Sequence, residues 1–133
     1  MKRTVIRILL ADDSVVILER ITELLREVDG IELAGRAGGV GESSRLIEQL
    51  HPDVVILDLQ MPDGSGFDII ESIKESCPEP VVIVLTNSGA LPVRERCLKS
   101  GANFFLDKSN KFELLPQIVR GIVGTVRAAP NPV

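Results

Sequence analysis

The run "VIRILLA" (Val5–Ala11) has the length of a strand and is apolar at nearly every position. Beyond Ser14, the residues Ile17, Ile21, Leu24, Leu25 and Val28 recur at helical spacing, and Gly30 is placed to close that helix. The alternation then repeats. "IELAGRA" predicts a second strand, and Val40 to Leu50 a helix with Leu46, Ile47 and Leu50 on one face. "VVILDL" predicts a third strand and "FDIIESIKESC" the next helix. "VVIVLT" predicts a fourth strand, followed by a helix from about Pro92 to Ser100 that stops at Gly101. "NFFLD" predicts a fifth strand, and a last helix runs to about Arg127. Pro116 has no amide hydrogen, so a turn is expected over 110–113, with regular helix starting near Pro116.

Strands alternating with helices through connections too long for hairpins make a βαβ pattern. Several strands are apolar on every position, which suits a parallel sheet covered on both faces by helices, an α/β architecture. The 133 residues fit a single domain, expected over 1–127, with "AAPNPV" at 128–133 as a flexible tail. No repeat or low-complexity segment interrupts it. The net charge of −4 and the lack of a basic stripe argue against direct nucleic-acid contact. Cys77 and Cys97 are far apart in helical patterns and read as buried, reduced thiols, neither a disulfide framework nor a zinc site. The start is too short and too acidic for a signal peptide, and no stretch of about 18 apolar residues could span a bilayer, so a soluble, cytoplasmic protein is expected.

Chemistry is concentrated at the strand ends. In an open parallel sheet, ligands bind beyond the carboxyl ends of the strands. Strand one ends on Asp12 and Asp13, strand three on Asp58 and strand four on Thr86, while Lys108 follows strand five. Each has a bland reading alone: Asp12 or Asp13 as a helix N-cap, Thr86 as a cap, Lys108 as a solvated side chain. Together, three converging carboxylates repel one another unless a cation sits among them, and Lys108 supplies only one positive charge. Mg²⁺, which takes oxygen ligands from one or two carboxylates, water and phosphate, would complete the balance.

These segments carry a resemblance. "ADDS", "DLQMPDGSG", "LTNSGA" and "LDKS", each after its strand, resemble the receiver domain of two-component response regulators, of the chemotaxis-regulator kind, over about Thr4 to Arg127. Asp58–Gly66 has the form D-x-x-M-P-x-x-x-G in full. The resemblance implies a doubly wound (βα)5 sandwich, flavodoxin-like, with strand order 2-1-3-4-5. It implies that Asp58 accepts a phosphoryl group from a histidine kinase or phosphotransfer protein. Asp13, Asp58 and the backbone carbonyl of Gln60 would bind Mg²⁺, with Asp12 acting through a coordinated water. Lys108 would contact one phosphoryl oxygen and the Thr86 hydroxyl another. Thr86 would then be drawn inward, Phe105 would fill the space it leaves, and the face of the fourth helix, fifth strand and fifth helix would signal to an effector or a fused output domain, or support a homodimer. Phe105 reads equally as a core residue of a buried strand. Charge-assisted hydrogen bonds are worth about 1.5–3 kcal/mol each, so two at the top of that range, or three near its middle, reach the roughly 5.5 kcal/mol that inverts a 1:99 equilibrium.

Departures and rivals complete the reading. Asn87 stands where the family usually has a very small residue, and Gln60 and Ser88 stand where it tunes phosphate lifetime. Ser109 replaces a common proline whose peptide bond is cis in the family; here either strain is stored or the loop differs. "GRAGGVGES" imitates a phosphate-binding loop but has Glu42 in place of the lysine that reaches phosphates. His51, the only histidine, reads as a surface residue. An aspartyl-nucleophile phosphatase is disfavoured because Gln60 stands where such enzymes carry a second Asp, so no turnover beyond self-dephosphorylation is expected. A phosphorylation-independent interaction module is the other alternative.

Overall fold

The computed structural model describes residues 5–76, 80–87, 91–109 and 112–128. Five strands, β1 (Ile6–Ala11), β2 (Ile31–Ala37), β3 (Val54–Leu57), β4 (Val81–Thr86) and β5 (Phe104–Asp107), pair in parallel in the order β2-β1-β3-β4-β5. Five helices, α1 (Val15–Leu25), α2 (Val40–Leu50), α3 (Gly66–Ser76), α4 (Leu91–Ser100) and α5 (Leu115–Ala128), make the connections and the last element. This is the doubly wound sandwich expected.

The strand sequences explain the two layers. Along β1, Ile6, Ile8 and Leu10 pack against α1 and α5, while Leu9 and Ala11 face the layer of α2, α3 and α4. All four residues of β3 are buried, because both of its faces are covered and both of its edges are paired. That is why the run is continuous rather than alternating.

Two boundaries differ from the expectation by two residues or more. The α1 helix ends at Leu25, a turn before Val28, yet Val28 is still buried because its amide donates to the Leu25 carbonyl (3.0 Å) and folds it back onto the core. The third strand ends at Leu57 rather than Leu59. The Asp58 amide still reaches the Ala11 carbonyl (3.0 Å), but the chain then turns into a small antiparallel ladder of Gln60–Met61 with Gly64–Ser65. A 3-10 turn over Phe112–Leu114 precedes α5, which begins at Leu115 with Pro116 in its first turn, where the missing amide hydrogen costs no helical bond. Asn110, Cys77, Ser88 and the tail beyond Ala128 lie outside the described residues. Among those described, no helix is long and apolar enough to cross a membrane.

Candidate functional site

The β1–α1 turn comes first. The Ser14 hydroxyl, not an aspartate, caps α1 by accepting from the Ile17 amide (3.3 Å). Asp12 accepts from the Ser14 amide through Oδ1 (2.9 Å), which shapes the turn and leaves Oδ2 facing the sheet edge. Asp12 is buried and Asp13 exposed. The N-cap reading of these two acids is thereby replaced: capping is done by the next residue.

Asp58 stands one residue beyond β3 and is 8% exposed. Its Oδ1 accepts from the Gln60 amide (3.3 Å), and Gln60 itself is exposed. The Gly66 amide closes the loop onto the Leu59 carbonyl (2.8 Å). A Cβ on Gly66 would lie 2.5 Å from the Asp58 carbonyl oxygen, so only glycine lets the chain pass this close behind Asp58.

Lys108 joins the two halves. Its Nζ donates to Asp12 Oδ2 (2.6 Å) and Asp58 Oδ2 (3.0 Å), and its side chain is 6% exposed. Burial works against the ammonium charge, but hydrogen bonds to Asp12 and Asp58, with their negative charge, outweigh it and hold the pKa above the ordinary lysine value. One oxygen from each of Asp12, Asp13 and Asp58 lies within 4.8 Å of the others, an all-oxygen set that can hold a hard cation. The loop after β5 is set by Asp107, whose Oδ1 accepts from the Ser109 amide (2.9 Å) and hydroxyl (2.6 Å). No peptide bond among the described residues is cis, so the loop at Lys108–Ser109 differs from the cis form.

Thr86 is buried at the end of β4, and its carbonyl accepts from the Lys108 amide (3.0 Å). Phe105 does not enter the carboxylate cluster. It pairs with Val84, is half-buried, and packs on the layer of α3 and α4, the face to which strand alternation also turns Thr86. Asn87 is exposed beside it. His51 is exposed at the end of α2 in a left-handed conformation, with its amide on the Ile47 carbonyl (3.0 Å). Cys97 is buried, and burial pushes its thiol pKa up, which keeps it protonated and unreactive.

The glycine-rich loop before α2 is filled by the chain's own acids. Asp63 accepts from the amides of Val40 (2.7 Å) and Gly41 (3.1 Å), and Glu42 accepts from that of Gly38 (2.8 Å). The roles of Asp63 and Gly66 were not found from the sequence. For Gly66 the signal was the closing glycine of D-x-x-M-P-x-x-x-G, and for Asp63 a helix start at Gly39 with no capping side chain of its own.

A family model described as the response regulator receiver domain matches residues 8–120. The chain is 37% identical over 130 residues to protein-glutamate methylesterase/protein-glutamine glutaminase 1 of Caulobacter vibrioides, covering 93% of this chain and 38% of that protein. It is 30% identical over 115 residues to the response regulator GacA of Pseudomonas viridiflava, covering 86% and 54% respectively. The crystal structure of a LuxR-family two-component response regulator from an Aurantimonas species is similar with a TM-score of 0.83 at 25% identity, over 94% of this chain and 89% of that one. The chain thus spans little more than half the length of either curated relative at most. By sequence match and by fold alike, it belongs to the response regulator receiver domain family.

Proposed function

We propose that Asp58 is the phosphoacceptor of this receiver domain, which occupies residues 1–127, and that Asp12, Asp13, Thr86 and Lys108 serve the transfer. The observation that carries this is the Lys108 ammonium held between buried Asp12 and Asp58, with Asp13 at the mouth. A carboxylate oxygen of Asp58 attacks the phosphorus of a phosphohistidine or a small acyl phosphate. The new P–O bond forms as the donor's P–N or P–O bond breaks, and the leaving group departs with the bonding electrons. Lys108 exchanges Asp58 Oδ2 for a phosphoryl oxygen, and the Thr86 hydroxyl takes another.

Asp13, Asp58 and the Gln60 carbonyl are the residues that would hold Mg²⁺, with Asp12 acting through water. When bound, the ion neutralises the oxygens of the transferring group. The added charge on Asp58 draws Thr86 inward, Phe105 follows on the same face of the sheet, and the α4-β5-α5 face changes. The donor is a histidine kinase or phosphotransfer protein in the cytoplasm. The recipient of the signal is an effector protein or an output region on the same polypeptide, with a homodimer as one active form. The domain turns over no outside substrate and only loses its own phosphoryl group slowly.

The test is intact mass after incubation with acetyl phosphate and Mg²⁺. One added phosphoryl group that requires Mg²⁺ and is missing from Asp58→Ala is expected. If wild type gains no mass and also fails to bind beryllofluoride, the phosphoacceptor reading falls and the interaction-module reading takes its place.

A further inference from the structure

The hairpin that follows Asp58 is anchored at its base, where Leu59 and Met61 are buried in the core, but by little at its tip. Its ladder has two residue pairs, Gln60 with Ser65 and Met61 with Gly64, and Pro62, Asp63 and Gly64 at its tip are all exposed. An exposed tip with no apolar burial is the kind of segment that opens locally. Yet this hairpin must present the Gln60 carbonyl and keep the Gln60 amide on Asp58.

The tip is tied instead to α2. Both carboxylate oxygens of Asp63 are used, one on the Val40 amide and one on the Gly41 amide. The helix they grip is itself fixed to the sheet by Ile47 and Ser43, which are buried, and its first turn is tightened by the Ser43 hydroxyl donating to the Gly39 carbonyl (2.6 Å). Gly39, the N-cap residue, offers no side chain, so Asp63 does from 23 residues away what an N-cap residue does locally. The fit is close: a Cβ on Gly39 would lie 2.8 Å from Asp63 Oδ1.

From this geometry we infer that Asp63 is a positioning residue for the phosphoacceptor site: by pinning the hairpin tip to the first turn of α2, it holds the Gln60 carbonyl where a divalent cation on Asp13 and Asp58 requires it. The inference rests on the proposed function and adds to it a residue that touches neither the ion nor the phosphoryl group.

A cap and a tether are separable by experiment. The protein has neither Trp nor Tyr, so Mg²⁺ binding is read by calorimetry. Asp63→Ala is expected to weaken Mg²⁺ binding about tenfold, the lower end for residues that orient metal ligands from outside, and to lower Tm by a few degrees. Phosphoryl uptake from acetyl phosphate should slow at low Mg²⁺ and recover at saturating Mg²⁺. Asp63→Asn, which keeps one acceptor, should fall between. The deciding variant is Gly39→Ser combined with Asp63→Ala. Gly39 has extended backbone (φ −158°) open to any residue, and loss of the Asp63 carboxylate clears the space for a serine cap. It should restore Tm and leave Mg²⁺ affinity low. If it restores both, or if Asp63→Ala binds Mg²⁺ as wild type does, Asp63 is a cap only and the inference is overturned while the phosphoacceptor reading stands. If wild type binds no Mg²⁺ and takes no phosphoryl group, both fall together.

Discussion

The loops after β2 and β3 lie side by side at the carboxyl edge of the sheet, and each carries groups suited to phosphate chemistry. In the first, glycines present a row of amides at a helix start, as a phosphate-binding loop does. Those amides are already engaged, Val40 and Gly41 by Asp63 and Gly38 by Glu42. In the second, Asp58 shares Lys108 with Asp12 while Asp13 stands close by. Three carboxylates against one ammonium leave an excess of two negative charges, the amount a divalent ion cancels. The first loop is satisfied by its own chain and the second is not. A binding site is therefore marked by the charge or hydrogen-bonding capacity left over after folding, not by the groups spelled out in the sequence.

Removing the shared cation should expose this difference most strongly. Lys108→Met leaves Asp12 and Asp58, with side chains 4% and 11% exposed, facing each other without a counter-charge. Breaking a buried pair in this way costs about 3 kcal/mol, so urea denaturation without Mg²⁺ should show a loss of that size. Saturating Mg²⁺ should return much of it, and should stabilise the variant more than wild type. In the satisfied loop, Glu42→Gln should change stability by less than about 0.5 kcal/mol, as exposed substitutions do. Equal effects in the two loops would remove the distinction.

One substitution made in both loops should act with opposite signs. Gly66→Ala puts a Cβ 2.5 Å from the Asp58 carbonyl oxygen and 2.8 Å from Leu57 Cδ1 and Leu59 Cα, and two of these neighbours are backbone. Overpacking of that kind costs about 1–3 kcal/mol, and it should displace Asp58 as well, which slows phosphoryl uptake. Gly41→Ala places its Cβ 3.7 Å from Asp63 Oδ2, an ordinary contact, inside α2. It should stabilise by up to about 1 kcal/mol, the helical preference of alanine over glycine. Thermal unfolding of the two variants checks both signs.

What the sequence made legible follows the same division. The strands could be read because burial on both faces leaves an unbroken apolar run, as in Val54–Leu57. The convergence of Asp12, Asp13, Asp58 and Lys108 could be read because each lies at a strand end, and a parallel sheet brings all such ends to one rim. The tie between Asp63 and α2 could not, since it joins residues 22 and 23 positions apart and leaves no periodicity. The end of β3 was missed for a related reason. Leu59 continues the apolar composition of the strand past Asp58, but the bond from the Gly66 amide to the Leu59 carbonyl and the pairing of Gln60 with Ser65 take the chain out of the sheet. Ser14 took the capping role because it is the residue directly before α1, while Asp12 accepts from the Ser14 amide and from Lys108.

The smallest expected effect is a pH signature that separates the loops. Hydrogen bonds from the Val40 and Gly41 amides hold the Asp63 pKa below the ordinary carboxylate value. A group depressed on folding stabilises above its unfolded pKa, and that contribution is lost as pH falls through the folded value. The stability difference between wild type and Asp63→Asn should thus be steady near neutrality, then shrink below about pH 4. Lys108 is shifted the other way, with its pKa raised. Its contribution is present in full below the unfolded lysine value and is lost only as pH rises through the higher folded one. The difference between wild type and Lys108→Met should therefore persist across neutral pH, where Lys108 keeps its charge, and should close only at strongly alkaline pH. Comparing each variant with wild type at the same pH cancels carboxylates remote from the substituted side chain, so fading of both differences together near pH 7 would show that neither loop owes its stability to these charges.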